Sequence, residues 1–152
     1  MVSKKLKAFN LELFIKYLLL SLLSKIQIDG KKEVVENLLK RSLSILKKTT
    51  KSNPSFILFC ILKQIKPFCE IRKLKIGGKI HRIPVAIRSL KQKIMSIKWL
   101  TLAIIERNEL FFEVRFSKEV VETYEWSSKS INFCESIHKI AESNKIYMQF
   151  KN

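Results

Sequence analysis

Apolar residues recur at every third or fourth position along most of the chain, which is the spacing of amphipathic helices. One run covers residues 11–28 and stops at Asp29-Gly30, where glycine can cap a helix end. A second run covers residues 31–48. A third opens at Asn53-Pro54, an N-cap residue followed by proline at the first helical position, and ends before Pro67. The first part of the chain is therefore predicted to form three helices.

The period changes in residues 68–90, where polar and apolar residues alternate on both sides of Gly77-Gly78. A glycine pair can adopt the positive φ angles of a tight turn, so this segment is predicted to form a two-stranded β-hairpin. Pro84 is compatible with the hairpin because an isolated ribbon is all edge. Helical spacing returns in residues 91–106, 109–124 and 131–147, with a break at residues 127–130 between the last two helices.

The predicted fold class is mainly α: a single-domain bundle of six helices with a protruding basic β-hairpin between helices three and four. The length of 152 residues fits one domain, 1–152. Within it, residues 1–10 are predicted to be a basic N-terminal arm and residues 68–90 the hairpin arm.

Charge is unevenly placed along the chain, whose formal net charge is +17. Residues 63–107 hold 12 basic and 2 acidic side chains, whereas residues 108–152 hold 6 and 7. Part of the lysine excess is typical of AT-rich codons, since the chain also has 20 Ile and only 4 Ala. Codon bias does not explain the uneven placement. The uneven placement indicates one basic surface that faces a polyanion, most commonly nucleic acid, and one neutral end.

The hairpin concentrates this charge. Its single acid, Glu70, stands against six basic side chains and His81, the six being Arg72, Lys73, Lys75, Lys79, Arg82 and Arg88. Two interpretations are open: a solvated edge ribbon that uses charge to avoid aggregation, or an arm laid against phosphates, which explains the excess better. Alternate residues of a strand point to opposite faces, so Arg72 and Lys73 can share one partner only if RNA surrounds the hairpin.

No catalytic motif is found, and the chain is predicted not to be an enzyme. Glu70 beside Arg72 and Lys73 could suggest a metal-dependent nuclease centre, but such a centre needs a second acid. Apart from Glu70, no acidic residue lies between residues 37 and 105.

Metal-ligand spacing is also missing. Cys60, Cys69 and Cys134 form no CxxC pair, and His81 and His138 are far apart in the sequence, so no metal site and no cofactor are expected. The cysteines are expected to be free thiols, with Cys60 in the core. His138 is interpreted as a packing or hydrogen-bonding residue rather than a ligand.

No membrane segment is expected. The uncharged stretch 17–24, bracketed by Lys16 and Lys25, is much shorter than the ~20 apolar residues of a membrane-spanning helix. Residues 4–25 have the amphipathic character of an import presequence, but they lack Arg and contain Glu12, so they are interpreted as mature structure.

The segment 66–88 closely resembles the bacterial-type small-subunit ribosomal protein seven family. The matching positions are Pro67, Glu70, Ile71, Arg72, Gly77, Gly78, Pro84, Val85 and Arg88. Three further stretches match in the right order: IDGKK (28–32), IKWL (97–100), in which Lys98 replaces an arginine, and HKIAESNK (138–145). The resemblance covers roughly residues 13–150.

The resemblance implies a six-helix bundle with a hairpin after the third helix, as the periodicity predicts. It further implies a place in the head of the small ribosomal subunit, bound to the 3′ major domain of the small-subunit rRNA near the tRNA exit site, with the hairpin close to the mRNA exit path. The expected partners are this rRNA, neighbouring small-subunit proteins, and mRNA and exit-site tRNA near the hairpin. A mitochondrial matrix ribosome is the expected location, on the AT-rich composition and the absence of a presequence, with a plastid ribosome as the alternative.

The chain departs from the family at three places. Lys4, Lys5 and Lys7 stand where the family has an Arg-rich extension, residues 132–134 (Asn-Phe-Cys) replace a basic tract, and residues 149–151 (Gln-Phe-Lys) replace His-Tyr-Arg. The turn expected at 129–136 therefore lacks the basic residues with which the family would contact rRNA there, and a changed neighbour is expected at the C-terminus.

The leading hypothesis is a structural rRNA-binding protein, and the alternative is an architectural DNA-binding protein with a basic β-arm. For Lys31 and Lys32, solvated charge and phosphate contact are equally open, and Trp99 is interpreted as core rather than as a base-stacking residue. The candidate RNA-binding residues are Lys4, Lys5, Lys7, Lys31, Lys32, Arg72, Lys73, Lys75, Gly77, Gly78, Lys79, His81, Arg82, Arg88, Lys91, Lys93, Lys98 and Lys145.

Overall fold

Six helices and one hairpin follow one another in the predicted order. The computed structural model describes residues 16–150, so the predicted basic arm 1–10 and the start of the first helix at 11–15 lie outside the described residues. The elements are α1 (described from 16 to 26), α2 (Lys32–Thr50), α3 (Pro54–Ile65), β1 (Cys69–Ile76), β2 (Lys79–Ala86), α4 (Ser89–Ile105), α5 (Phe112–Tyr124) and α6 (Lys129–Ser143), followed by a 3₁₀ helix at Lys145–Phe150. The predicted fold class, mainly α with a hairpin between the third and fourth helices, is confirmed.

The ends of the first helices follow from one side-chain cap and from local backbone conformation. The predicted cap of α3 is confirmed, because Asn53 Oδ1 accepts a hydrogen bond from the backbone N–H of Ser55 at 3.1 Å. Helix α2 runs two residues further than predicted and ends where Lys51 adopts a left-handed φ of 52° and donates its N–H to the Lys47 carbonyl. Helix α4 begins at Ser89 rather than 91, which makes Arg88 its N-cap residue rather than part of the hairpin.

The last two helices differ more from the prediction. Helix α5 begins at Phe112 rather than 109 because the Arg115 side chain donates to the carbonyls of Glu109 and Leu110 and holds them outside the helix. Helix α6 begins at Lys129, where the side chain of Ser128 caps it, and ends at Ser143 rather than 147. For residues 131–136 the periodicity predicts helix and the resemblance a turn. Asn132-Phe133-Cys134 lies inside α6, so the helix is confirmed there and the turn at 129–136 is wrong.

The core is one apolar cluster to which every helix from α1 to α6 contributes. Fully buried members include Leu22 of α1, Leu46 of α2, Ile61 of α3, Leu100 of α4 and Phe116 of α5.

Two expectations about single core residues have opposite outcomes. Trp99 is buried in the core, as predicted. Cys60, expected there, is only half-buried, whereas Cys134 on α6 is buried and burial raises the pKa of its thiol to about 11.

A charge cluster around the buried Glu119 joins α4, α5 and α6. Arg107, which follows α4, donates from Nη1 to Glu119 of α5 at 2.8 Å and from both terminal nitrogens to Glu122 at 2.7 Å. Its Nε donates to Glu109 at 3.1 Å. Glu119 has no exposed surface, and its other oxygen accepts the hydroxyl of Ser130, at the start of α6, at 2.9 Å. Arg107 and Glu119 together therefore link the end of α4 to α5 and to the start of α6.

The cluster shifts the ionisation of its members. Hydrogen bonds from Arg107 lower the pKa of Glu109 to about 2 and also lower the pKa of Glu122. The same carboxylates, Glu122 foremost, raise the pKa of Arg107.

We expect Arg107→Met to destabilise the fold by about 3–5 kcal/mol, because it leaves the Glu119 carboxylate buried without a cation. The double variant Arg107→Met/Glu119→Leu should recover part of this loss, since it removes the stranded charge as well. Urea denaturation followed by circular dichroism measures both. Arg41→Met is the control, because the exposed Arg41 guanidinium lies 3.9 Å from Glu113 and contributes about 0–1 kcal/mol. Equal losses in the two single variants would contradict the assignment.

Candidate nucleic-acid interface

The hairpin closes through a two-residue turn in which both residues have positive φ. Gly77 has φ 57° and Gly78 has φ 81°, a combination that only glycine adopts readily and that matches the twist of the flanking strands. The turn joins Ile76 to Lys79, and the register continues in antiparallel pairs to Cys69 and Ala86. The predicted hairpin is confirmed, with strands that end two residues short of Arg88.

The base of the hairpin is packed against the end of the bundle. Ile83 and Pro84 are buried, and the two strands contact α6 and the 3₁₀ helix. His138 of α6 accepts the backbone N–H of Phe68 at its Nε2, 3.2 Å away. Nearer the turn, the ring of His81 lies 4.5 Å from the ring of Tyr147. The hairpin is therefore anchored at its base and on one face rather than standing free as an isolated ribbon.

The register assigns the cations of the hairpin to two different faces. Arg72, Lys79 and His81 share one face, and Tyr147 contacts that face through His81. Lys73, Lys75 and Arg82 share the opposite face, on which Lys73 and Arg82 are directly paired across the strands. All three side chains are exposed. Along the described part of the chain, no ion pair involves any of them.

Glu70 forms ion pairs with two of the predicted RNA-binding residues. Its Oε1 accepts Arg72 Nε at 2.7 Å, and its Oε2 pairs with the ammonium of Lys91 on α4. Lys91, and after it Arg72, lower the pKa of Glu70, whose side chain has only 10% of its surface exposed. This trio ties β1 to the first turn of α4. Arg72 and Lys91 remain 65% and 54% exposed, so their outer surfaces are open to a ligand.

The remaining predicted residues are distributed over the surface. Lys31, Lys32, Arg88, Lys93, Lys98 and Lys145 are all exposed. Lys31 and Lys32 open α2, which contacts α3 and α5 but, among the described residues, neither strand of the hairpin. Lys4, Lys5 and Lys7 lie outside the described residues.

Two further cations, absent from the predicted RNA-binding set, lie beside Lys93. Lys63, in the last turn of α3, and Lys66, just after it, line the same cleft as Lys93. Their three-residue spacing at a helix end was the available signal, but lysines there also complement the helix dipole.

Neither a metal site nor a membrane span is found in residues 16–150. These residues contain no group of three His, Cys, Asp or Glu side chains arranged to hold a metal ion. Their helices are also too short or too polar to cross a bilayer.

The fold and surface thus define a class: a small, strongly basic helical protein that presents an anchored β-hairpin with an unpaired cationic face. The sequence profile of the family described as "Ribosomal protein S7p/S5e" matches residues 2–145. The chain belongs to this family of small-subunit ribosomal proteins.

Individual relatives agree. The small ribosomal subunit protein uS7 of Nitrosomonas europaea is 31% identical over 80% of this chain and 78% of its own length. The uS7 of Afipia carboxidovorans is 29% identical over 85% of this chain and 83% of its own length. The small ribosomal subunit protein uS7m of Reclinomonas americana is 30% identical over 88% of this chain and 84% of its own length. Family membership removes the ground for the DNA-binding alternative.

We expect Glu70→Gln to change how the free energy of unfolding depends on pH. Because the pKa of Glu70 is lowered in the folded state, the unfolded state binds more protons at acidic pH. The stability that Glu70 contributes is therefore complete above its ordinary pKa of 4.5 and is lost as pH falls through the folded-state pKa. The difference in unfolding free energy between wild type and variant should be about 1 kcal/mol or less near neutrality, since both cations are mostly exposed, and should shrink below pH 4.5. Urea denaturation across a pH series measures it, and a difference independent of pH would contradict this role.

Proposed function

We propose that the protein is a non-enzymatic structural constituent of the small ribosomal subunit that binds the 3′ major, or head, domain of the small-subunit rRNA and aids assembly of the head. The observation that carries the proposal is the open face of the hairpin, formed by Lys73, Lys75 and Arg82. Family membership supports the ribosomal setting.

Like charges that face each other across two strands destabilise the pairing. Lys73 and Arg82 are such a pair, Lys75 lies on the same face, and no carboxylate of residues 16–150 pairs with any of them. A solvated ribbon could avoid aggregation with fewer cations, or with charges of both signs. A row of phosphates relieves the repulsion instead, because each phosphate can lie between two cations.

Other parts of the protein have different charges, and each suits a different kind of partner. The basic residues of the hairpin and α4 suit rRNA, and the turn at Gly77-Gly78 suits a position near the mRNA exit path and the exit-site tRNA. The nearly neutral segment 108–152 suits neighbouring small-subunit proteins, because it offers phosphates little attraction.

We place the protein in a mitochondrial ribosome in the matrix, with a plastid ribosome as the alternative. The lysine- and isoleucine-rich composition typical of AT-rich genes supports an organelle. The relatives do not separate the possibilities, since a mitochondrial relative at 30% identity stands beside bacterial ones at 29% and 31%.

The direct test is the salt dependence of binding to an rRNA head-domain fragment. Each neutralised phosphate releases counterions, so removing one contact should reduce the slope of log affinity against log salt by about one. We expect this for Lys73→Gln and for Arg82→Gln. Each should also stabilise the hairpin by relieving repulsion, so that unfolding cannot explain the weaker binding. Lys139→Gln, which removes an exposed cation from α6, is the matched control. A wild-type protein without a salt slope, or a control with the same effect, would overturn the proposal.

A shortened hairpin tests the role of the turn. Replacing residues 73–82 with Asn-Gly closes Arg72 against Ile83, a pair on the same face as the native closing pair Ile76 and Lys79. The buried base and the cations outside the deletion, such as Arg72 and Lys91, are retained, so we expect the helices to stay folded and the protein to sediment with small subunits from purified mitochondria. Its affinity for the rRNA fragment should fall with the loss of the open face, and control over exit-site tRNA or mRNA should degrade. If the variant stays folded but fails to enter subunits, the hairpin is the main rRNA anchor. Wild-type protein found with plastid or cytosolic ribosomes instead would overturn the location.

A further inference from the structure

A small apolar cleft opens between α1, α3 and α4. Its floor is formed by core side chains, among them Leu62 and Ile97, and its walls include the rings of Tyr17 and Phe59. The side chains lining the cleft carry far more apolar than polar surface, although they lie at the outside of a strongly basic protein.

The cleft has the size of one aromatic ring. Its volume is about 150 Å³, which equals that of an engineered protein cavity that binds benzene. A six-membered ring matches this volume, whereas the two rings of a purine exceed it.

Three cations line the cleft: Lys63, Lys66 and Lys93. The ammonium of Lys63 lies 4.3 Å from the centre of the Phe59 ring, so positive charge is held directly beside an aromatic wall. A ligand that places an anionic group next to a flat ring matches this arrangement. A nucleotide does so, because the phosphates flank the base.

The cleft also contains one buried polar atom suited to a base edge. Ser96 is buried, lines the cleft, and donates its hydroxyl proton to the Lys93 carbonyl at 2.9 Å. A hydroxyl that already donates can still accept a hydrogen bond, so its oxygen can receive an N–H from a base.

We propose that this cleft binds one unstacked pyrimidine of RNA, with the base against Tyr17 and the adjoining phosphates on Lys63 and Lys66. The inference rests on the proposed rRNA binding and adds a site that reads the shape of a single base. Single-stranded RNA loops are commonly recognised in this way, through bases turned out onto aromatic side chains. An apolar side chain of a neighbouring protein could also enter such a cleft, but the three cations that line it favour a polyanion.

The test separates stacking from charge. Tyr17→Ala should weaken binding to the rRNA head-domain fragment by about 5- to 150-fold, the range found when a stacking aromatic is removed, and should leave the salt slope unchanged. Lys63→Gln and Lys66→Gln should each reduce the salt slope by about one. Tyr17→Phe keeps the ring and should keep the affinity. Tyr124→Ala is the matched control, since Tyr124 on α5 is 50% exposed and Tyr17 is 46% exposed.

Ultraviolet crosslinking of the wild-type complex identifies the occupant. A crosslink between a pyrimidine and the peptide that contains Tyr17 is expected. If wild type binds with a salt slope but Tyr17→Ala, shown to be folded by circular dichroism, binds equally well, the inference fails and the proposed function stands. A crosslink in purified small subunits from this peptide to a protein only would likewise overturn it. If wild type shows no salt-dependent binding at all, the proposed function itself fails.

Discussion

The ion pair between Arg107 and Glu119 ties the end of α4 to α5 and, through Ser130, to α6, the helix against which the hairpin packs. Glu119 has no access to water, so its charge is tolerable only while the guanidinium and the hydroxyl of Ser130 remain in place. Ser130 lies in the first turn of α6, and the same rigid helix carries His138 about 12 Å further along, where it accepts the N–H of Phe68 just before β1. A polar cluster at one end of α6 thus positions a β-ribbon at the other end.

This arrangement explains how a two-stranded ribbon can carry so much charge. Such a ribbon is marginally stable by itself, and the facing pair of Lys73 and Arg82 weakens it further. Burial of Ile83 and Pro84 against the bundle compensates at the base. The contact between His81 and Tyr147 steadies the covered face. The cost of repulsion is therefore confined to the exposed end, where an anionic partner can remove it.

Periodicity and turn chemistry sufficed to predict the element order, the cap at Asn53 and the Gly77-Gly78 turn, because these depend on neighbours in the sequence. The errors came from contacts over longer distances. The start of α5 is set by Arg115, whose side chain reaches back to the carbonyls of Glu109 and Leu110. The cap at Ser128, by contrast, is a local signal that the predicted break at residues 127–130 overlooked. The same limit applies to the candidate site. The alternation of strand residues separates the two faces of the hairpin in advance, but only the fold shows that Glu70 engages Arg72 and Lys91, and that Lys63 and Lys66 lie beside Lys93.

The branched, planar side chain of Arg107 also limits which arginines of this chain can be replaced by lysine. Lysine outnumbers arginine 24 to 6, as AT-rich codons favour. A single ammonium is a point charge and cannot reproduce a flat fork that reaches Glu109, Glu119 and Glu122 at once. Arg115 holds two successive carbonyls in a similar way. The genetic pressure towards lysine is therefore free to act on the solvent-exposed cations, but it is opposed at these two positions, where the replacement would cost the fold.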